Sequence, residues 1–543
     1  MTKTTCLLIA IAAVCSDALA QSNSRGPGYD GALTNISSAT YYGRRGAAYP
    51  GGELGLAFQN TLCNPGTIPV EWRAPMLPDH PKFSFMVARE VNGRLVQLSD
   101  WSYCKHAFLS LNSGGATSPC SGNCIQPPAG GQQLGIQCSD VYTAGNNASR
   151  TYLGPPVEID PWLGTWNPVG SYFDIGDPAQ SGYPATADGV RSLNQAVFTG
   201  DSVENRVTLR EADVQTAVGT GVPLFFQIQV IQEGEPVTNR GNNIMSRPFT
   251  LTKTSTAWST STTGSASFGS IMSRWTGANM TMGGNGNDDG RFAIAVKVSG
   301  PTNGIWHYEY VVHNIDNNRG GASFRLPVCN GARVTNFGFR DIDTDPLNNW
   351  TPTYAGGEVA FTAPANNPQN WNTLYNFWFD CDVAPTSGNA TIDQARVGPG
   401  ALTVSVPTTV PGLQPALYLG AGCGVPTGEL VINGVPSAGN AGFALSVTGE
   451  ANSAVLVYFS ESDINLGLGG GCNLFLDPNV MSLAAVVGLD GAGAGSLPIP
   501  VAPGQIPATL TFQGATLLST PPLFGLIGLT NGLKVRFAGT GCN

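Results

Sequence analysis

Residues able to do chemistry are few in this chain and widely spaced. It has four histidines, His80, His106, His307 and His313, so a catalytic triad or a histidine-based metal centre must draw on these. His307, Glu309 and His313 alternate within Ile305 to Asn314, which places them on one face of a strand. Their types would suit a metal or acid–base cluster. His307 and His313 are six residues apart, or ~20 Å along a strand at ~3.3 Å per residue. One metal cannot join them unless the strand bends sharply. The expected role is a polar sheet face with hydrogen-bonded histidines.

Asp341, Asp343 and Asp345 repeat as Asp-x-Asp-x-Asp. Calcium takes several oxygen ligands, and this spacing supplies three from one loop. An EF-hand would continue with glycine and end on glutamate at position twelve; Pro346 and Pro352 stand there instead. A looser calcium site that stiffens a loop is the one cofactor expectation, set against a plain solvated acidic loop. Gly283-Gly284-Asn285-Gly286-Asn287-Asp288 has the look of one turn of a calcium-binding β-roll. That fold stacks tandem copies, so a hairpin turn is expected from the single copy here.

The chain has no Gly-x-Ser-x-Gly elbow, no His-Glu-x-x-His, no Walker loop and no dinucleotide fingerprint. No catalytic residue is assigned. Glu158, Asp160, Asp174 and Asp177 could supply the carboxylate pair of a glycoside hydrolase, given a cleft that fixes their separation. Trp162, Trp166, Trp350 and Trp371 lie near Gly, Pro or Asn. They read either as a sugar-stacking platform or as core plugs.

The start of the chain reads as an export signal: Lys3, an apolar run from Leu7 to Val14, then Ala18-Leu19-Ala20, with cleavage expected before Gln21. Val14 before Cys15 weakens a lipoprotein reading. After signal removal no transmembrane segment is expected, since the best later stretch, Leu523 to Leu529, is short and follows Pro521-Pro522. Ten cysteines remain, Cys63, Cys104, Cys120, Cys124, Cys138, Cys329, Cys381, Cys423, Cys472 and Cys542. An even number in an exported chain implies disulfides. The rival is zinc held by Cys104, His106, Cys120, Cys124 and Cys138. Cys329 with Cys381 is the first expected local pair.

Charged residues are 11% of the 543 and the net charge is −10, against about 25% charged in an average soluble protein. An acidic balance argues against a nucleic-acid partner, which would want a basic face. Glycine is abundant, 70 residues, but lacks the three-residue period of collagen.

Strand signals dominate. Phe83 to Val87 and Leu95 to Leu98 flank Asn92-Gly93, a hairpin turn. Leu224 to Ile231 is an apolar β run that alternates with Gln from Phe226 onward. In Ile305 to Asn314, Trp306, Tyr308, Tyr310 and Val312 share the face opposite His307. Glu204 to Val218 reads as a strand followed by a short helical turn. Many short strands with Gly-, Pro- and Asn-rich turns predict an all-β protein of β-sandwich domains with long loops and few short helices. The expected division is a signal peptide (1–20), a cysteine-containing β region (21–190), a β-sandwich (191–400), a linker or edge strand (401–417) and a small sandwich (418–543).

Several segments, among them Trp101 to Phe108, Leu134 to Asp140, Asn285 to Phe292, Trp306 to Asn314 and Val334 to Asp343, resemble a group of secreted proteins of planctomycete-type bacteria. The tail, with Gly420-Ala421-Gly422-Cys423, Gly470-Gly471-Cys472-Asn473-Leu474 and Leu529-Thr530-Asn531-Gly532-Leu533, is similar to a small Gly-rich domain that closes many exported proteins of those bacteria. The resemblance implies export, β architecture and a cell-exterior setting. It carries over no activity and no catalytic residue.

The function expected is a non-enzymatic secreted or cell-surface structural or adhesion protein, with an extracellular protein, a polysaccharide or a cell-envelope component as partner. A carbohydrate-binding protein or secreted glycoside hydrolase, and a calcium-stiffened recognition module, are the alternatives.

Overall fold

The computed structural model describes residues 21–537 apart from 73–77, 102–103, 107–108, 115–117, 149–152, 175–199, 330–331, 413–415, 435, 437 and 507. The expected signal peptide and Asp177 lie outside the described residues. The protein is all-β: antiparallel strands carry the fold, and the described helices are short 3-10 turns. Among the described residues no helix is long and apolar enough to cross a membrane.

The chain forms two compact units, one of Met1–Leu326, Val334–Asp380 and Ser387–Val410, the other of Pro327–Arg333, Cys381–Thr386 and Pro411–Asn543. Within the first unit lie two sandwiches. In the first, Ala32–Gly46, Gly52–Cys63 and Cys138–Tyr142 form one sheet, which Val207–Arg210 extends. The second sheet is built on Lys82–Val91, Gly221–Ile231 and Ile244–Lys253. Phe58, Phe226 and Phe249 pack between them, with Phe58 stacked on Phe226 at 4.7 Å. The expected break at 190/191 is therefore corrected. Gly221–Ile231 pairs with Lys82–Val91 in one sheet, and the opposing sheet of Gly52–Cys63 covers the apolar face the two share.

The second sandwich sets Arg291–Thr302, Ile305–Asn314, Thr373–Cys381 and Val334–Arg340 against Thr351–Ala355, Glu358–Thr362, Gly321–Pro327, Pro385–Gln394 and Thr403–Pro411. Its centre is aromatic: Tyr310 meets Phe324 at 5.4 Å, Phe324 meets Phe377 at 4.8 Å, and Trp350 stacks on Phe339 at 5.7 Å. Such contacts each add about 0.5–1.5 kcal/mol beyond area burial. The expected linker is in fact the edge strand Thr403–Pro411, as its prolines allow.

The two sandwiches stack. Met86, Ala88, Leu95, Ile271, Trp275, Ala293, Val311 and Leu374 form a further apolar cluster between them. Around it runs a lattice of buried amides. Gln227 Nε2 donates to Asn372 Oδ1 (3.0 Å), Asn372 Nδ2 to Ser84 Oγ (2.6 Å), Asn376 Nδ2 to Leu95 O (2.8 Å) and Leu374 N to Gln97 Oε1 (2.8 Å). The glutamines that alternate after Phe226 thus face another sheet rather than water.

The hairpin signals hold. Val91 pairs with Arg94 across Asn92 and Gly93, at φ 52° and 82°. Gly284 pairs with Arg291, closing a hairpin over the Gly-Asn run. Val207–Arg210 followed by the 3-10 turn Glu211–Val214 matches the expected strand and helical turn.

In the second unit, a sheet built on Gly532–Phe537, Ala508–Leu517, Ala454–Ser460 and Ser482–Gly488 covers a three-stranded one of Glu429–Asn433, Ala444–Thr448 and Ala494–Pro498. Leu430, Leu445, Val447, Val455, Phe512 and Val535 fill the space between.

Disulfides join Cys63 to Cys120, Cys124 to Cys138 and Cys423 to Cys472. Cys120, Cys124 and Cys138 are thereby removed from the expected zinc set. The pairing of Cys329 with Cys381 is corrected as well: Cys329 is disulfide-bonded, while the buried Cys381 takes no part in a disulfide.

Candidate functional site

His307 is the focus of the most developed polar cluster on the second sandwich. Ile305–Asn314 runs beside Thr373–Cys381, which brings Asp380 alongside. His307 Nδ1 lies 2.6 Å from Asp380 Oδ1, and Nε2 lies 3.4 Å from Glu309 Oε2 on the same strand face. Glu309 is held in turn by Arg94, whose Nε and Nη2 donate to its two oxygens at 2.6 and 2.5 Å. The Arg94 guanidinium sits 3.4 Å over the Trp378 ring. That ring lies so close to Gly338 that any β-carbon there would collide with it, at 1.9 Å. Glu309 raises the His307 pKa most; burial opposes it, and Asp380 adds to the rise. An imidazole set between two carboxylates has both nitrogens engaged, so it acts as a clamp between strands.

His313 stands at the other end of the strand, fully buried, with Nδ1 2.8 Å from Ser270 Oγ. The structure brings His307 and Glu309 together and leaves His313 apart, as strand rise requires. The polar face expected there is covered by the first sandwich over its far half. Burial pushes the His313 pKa down from 6.5 to about 4. The folded protein resists a proton that the unfolded chain accepts, so stability is full above about pH 6.5 and is lost as pH falls toward 4. His313 alone contributes about 3 kcal/mol to that loss, at 1.36 kcal/mol per unit. Glu235 and Asp140, raised by burial to about 7 and about 6, act in the opposite direction as pH rises. The difference in unfolding free energy between wild type and His313→Gln isolates the histidine. It is expected to shrink by about that amount between pH 7 and 4, and a constant difference would refute the assignment.

Asp341, Asp343 and Asp345 form a ladder of turns. Asp343 N donates to Asp341 Oδ1 (3.1 Å), Asp345 N to Asp343 Oδ1 (2.7 Å) and Leu347 N to Asp345 Oδ1 (3.0 Å). Asn367 and Asn348 donate to the second oxygens of Asp341 (2.6 Å) and Asp343 (3.0 Å). These side chains shape a loop as Asp does in tight turns. Among the described residues no group of three His, Cys, Asp or Glu is placed to hold a metal ion. Chelator is expected to leave the melting temperature of calcium-incubated protein unchanged; a downward shift of several degrees would support the calcium reading.

Glu158 and Asp160 line one recess of about 420 Å3, together with Pro78, Trp166, Asn167 and Asn318. Their oxygens are engaged from within. Glu158 accepts from Trp166 Nε1 (3.2 Å) and Tyr172 N (2.9 Å). Asp160 accepts from Trp162 N, Leu163 N and Asn318 Nδ2, each at 2.9 Å. Asp174 lies elsewhere and accepts from Gly170 N at 3.0 Å. Trp162, Trp166, Trp350 and Trp371 are all buried, so they are core plugs and not a stacking platform.

Sequence reasoning missed the buried charges. Lys82 is fully buried, and its Nζ donates to Pro78 O and Gly164 O, both at 2.5 Å; burial pulls its pKa down to about 8. Arg319 and Asp289 form a buried ion pair at 2.7 Å. Lys82 opens an apolar strand, which was the one available signal. Nothing local marks Arg319.

No family model matches this chain, and no curated protein is similar to it. Among solved structures, the T6 backbone pilin of serotype M6 Streptococcus pyogenes, described as a modular three-domain structure, overlaps 61% of this chain and 64% of its own length. The identity is 8% and the TM-score 0.17. Escherichia coli alpha-2-macroglobulin activated by porcine elastase overlaps 94% of this chain and 35% of its own length, at 10% identity and a TM-score of 0.14. Likeness at that level carries no argument about activity.

Proposed function

We propose that this is a non-enzymatic structural or adhesion component of the bacterial cell exterior, exported through its N-terminal signal. One observation carries the reading. Each described side-chain group singled out for chemistry above, in the histidine cluster, the aspartate ladder and the carboxylate recess, is tied into hydrogen bonds that hold strands and loops in place. The disulfides and the export-like first twenty residues support the compartment. The partner is an extracellular protein, a polysaccharide or another envelope component.

A second reading, carbohydrate binding or cleavage, is favoured by the recess that gathers Glu158, Asp160 and Trp166. Two measurements separate them. Protease shaving of intact source cells is expected to release peptides of this chain, and purified protein is expected to release no reducing ends from a panel of polysaccharides. Polymer turnover that Glu158→Gln abolishes would replace the structural reading with the second.

A further inference from the structure

Three arginines from distant parts of the first unit meet around a single aspartate, and we propose that this cluster binds a phosphate group. The chain has 26 Lys and Arg against 36 Asp and Glu, so a group of cations in excess runs against its composition. Arg89 lies on Lys82–Val91, Arg210 ends Val207–Arg210, and Arg340 ends Val334–Arg340. Asp213 sits on the 3-10 turn Glu211–Val214 that follows Arg210. Arg210 Nε donates to Asp213 Oδ2 at 2.8 Å, Arg340 Nη2 to its Oδ1 at 3.5 Å, and Arg89 Nη1 to its main-chain oxygen at 3.1 Å. All three guanidinium groups thus touch atoms of one residue.

Three guanidinium groups against one carboxylate leave a surplus of two positive charges. The neighbouring acids are turned to other partners. Glu211 is held by Arg44 and by Trp258 Nε1. Asp341 accepts from Asn367 Nδ2 and Asp343 N, and Glu90 faces Lys297 at 3.5 Å. Like charges this close repel, and a bound anion relieves the repulsion. Arg210, Arg340 and Asp213 are 29%, 33% and 16% exposed at their side chains, so solutes reach the cluster.

A guanidinium presents five N–H donors in a planar fork that matches an oxyanion. Among the described residues, each of the three spends a single nitrogen in hydrogen bonds, and the others remain for a ligand. A phosphate monoester carries about −1.5 to −2 charges near pH 7 and three acceptor oxygens, which fits the surplus and the donors together. A carboxylate brings one charge, and a cation or a neutral sugar gains nothing from the surplus. A continuous polyanion is repelled by the rest of a chain at net −10. The group arrives either as the free ion or as a phosphoryl group on a cell-envelope polymer. The second source rests on the structural reading proposed above; the binding of the group itself does not.

Calorimetric titration of the full mature chain at pH 7 and low salt tests this, with inorganic phosphate, glucose 6-phosphate and glucose as probes. Both phosphates are expected to bind one to one with a Kd under about 1 mM, and glucose is expected not to bind. Arg340→Gln and Arg210→Gln, on separate elements, are each expected to weaken phosphate binding about tenfold, as loss of a charge-assisted hydrogen bond implies. Arg325→Gln is the control. That side chain already faces Asp393 and Glu358, at 2.8 and 3.1 Å, so binding is expected to stay the same. No saturable binding of either phosphate, unchanged binding in either folded cluster variant, or an equal loss in the control would each overturn the proposal. Binding of the inorganic ion alone would keep the site and overturn the polymer source. None of these outcomes bears on protease shaving of cells, which tests the structural reading separately.

Discussion

Replacing Arg319 with methionine is expected to lower the unfolding free energy of the first unit by about 3–5 kcal/mol. Arg319 Nη1 donates to Asp289 Oδ2 at 2.7 Å and to Ala401 O at 2.9 Å, and its Nε donates to Arg396 O at 2.6 Å. Both partners of the ion pair are almost wholly buried, at 4% and 1% side-chain exposure. Asp289 also accepts from Asn285 Nδ2 and Gly400 N, at 2.6 and 3.0 Å. One guanidinium thus ties the Gly-Asn hairpin to the stretch before Thr403–Pro411. Methionine fills much of the volume but leaves the Asp289 carboxylate buried without its counter-ion, and that uncompensated charge is the source of the loss. The double variant Arg319→Met with Asp289→Asn removes the charge as well and is expected to regain part of the stability. Denaturant titration of the three proteins decides it. A double variant no more stable than Arg319→Met would show that packing, and not charge, holds this corner.

Removing the Cys63–Cys120 disulfide is expected to cost about 4 kcal/mol, from the chain entropy of a loop its length. The bond closes 57 residues and ties the end of Gly52–Cys63 to a long cysteine-containing excursion. Cys124–Cys138 closes only 14, which corresponds to about 3 kcal/mol. The paired Cys→Ala variants should rank in that order by denaturant midpoint. The reverse order would mean that native-state packing around Cys124 outweighs loop entropy.

Much of the fold was legible because its signals are local. Alternation marked Ile305–Asn314, and Asn92-Gly93 marked a hairpin, while 401–417 read as a linker or an edge strand alike. Strand spacing alone separated His307 from His313. What could not be read was which sheet a strand joins. Gly221–Ile231 carries the same pattern whether it begins a new domain or, as found, sits at the centre of the first sandwich. The cysteine pairing failed for the same reason: Cys329 and Cys381 are neighbours in sequence order, but bonding follows distance in the fold. Asp380 beside His307, and Arg94 beneath Glu309, are likewise products of long-range register. The aspartate ladder was visible as a motif, yet its spacing suits turn capping as well as ligation.

Over residues 226–231 the central strand Gly221–Ile231 has no wet side, since it faces aromatic rings in one direction and an amide lattice in the other. Two cores therefore share a common wall. Neither sandwich can melt first without stripping the other of a boundary, so heating should dismantle both in one calorimetric step. Under mechanical load, that shared wall leaves no soft seam between the two sandwiches.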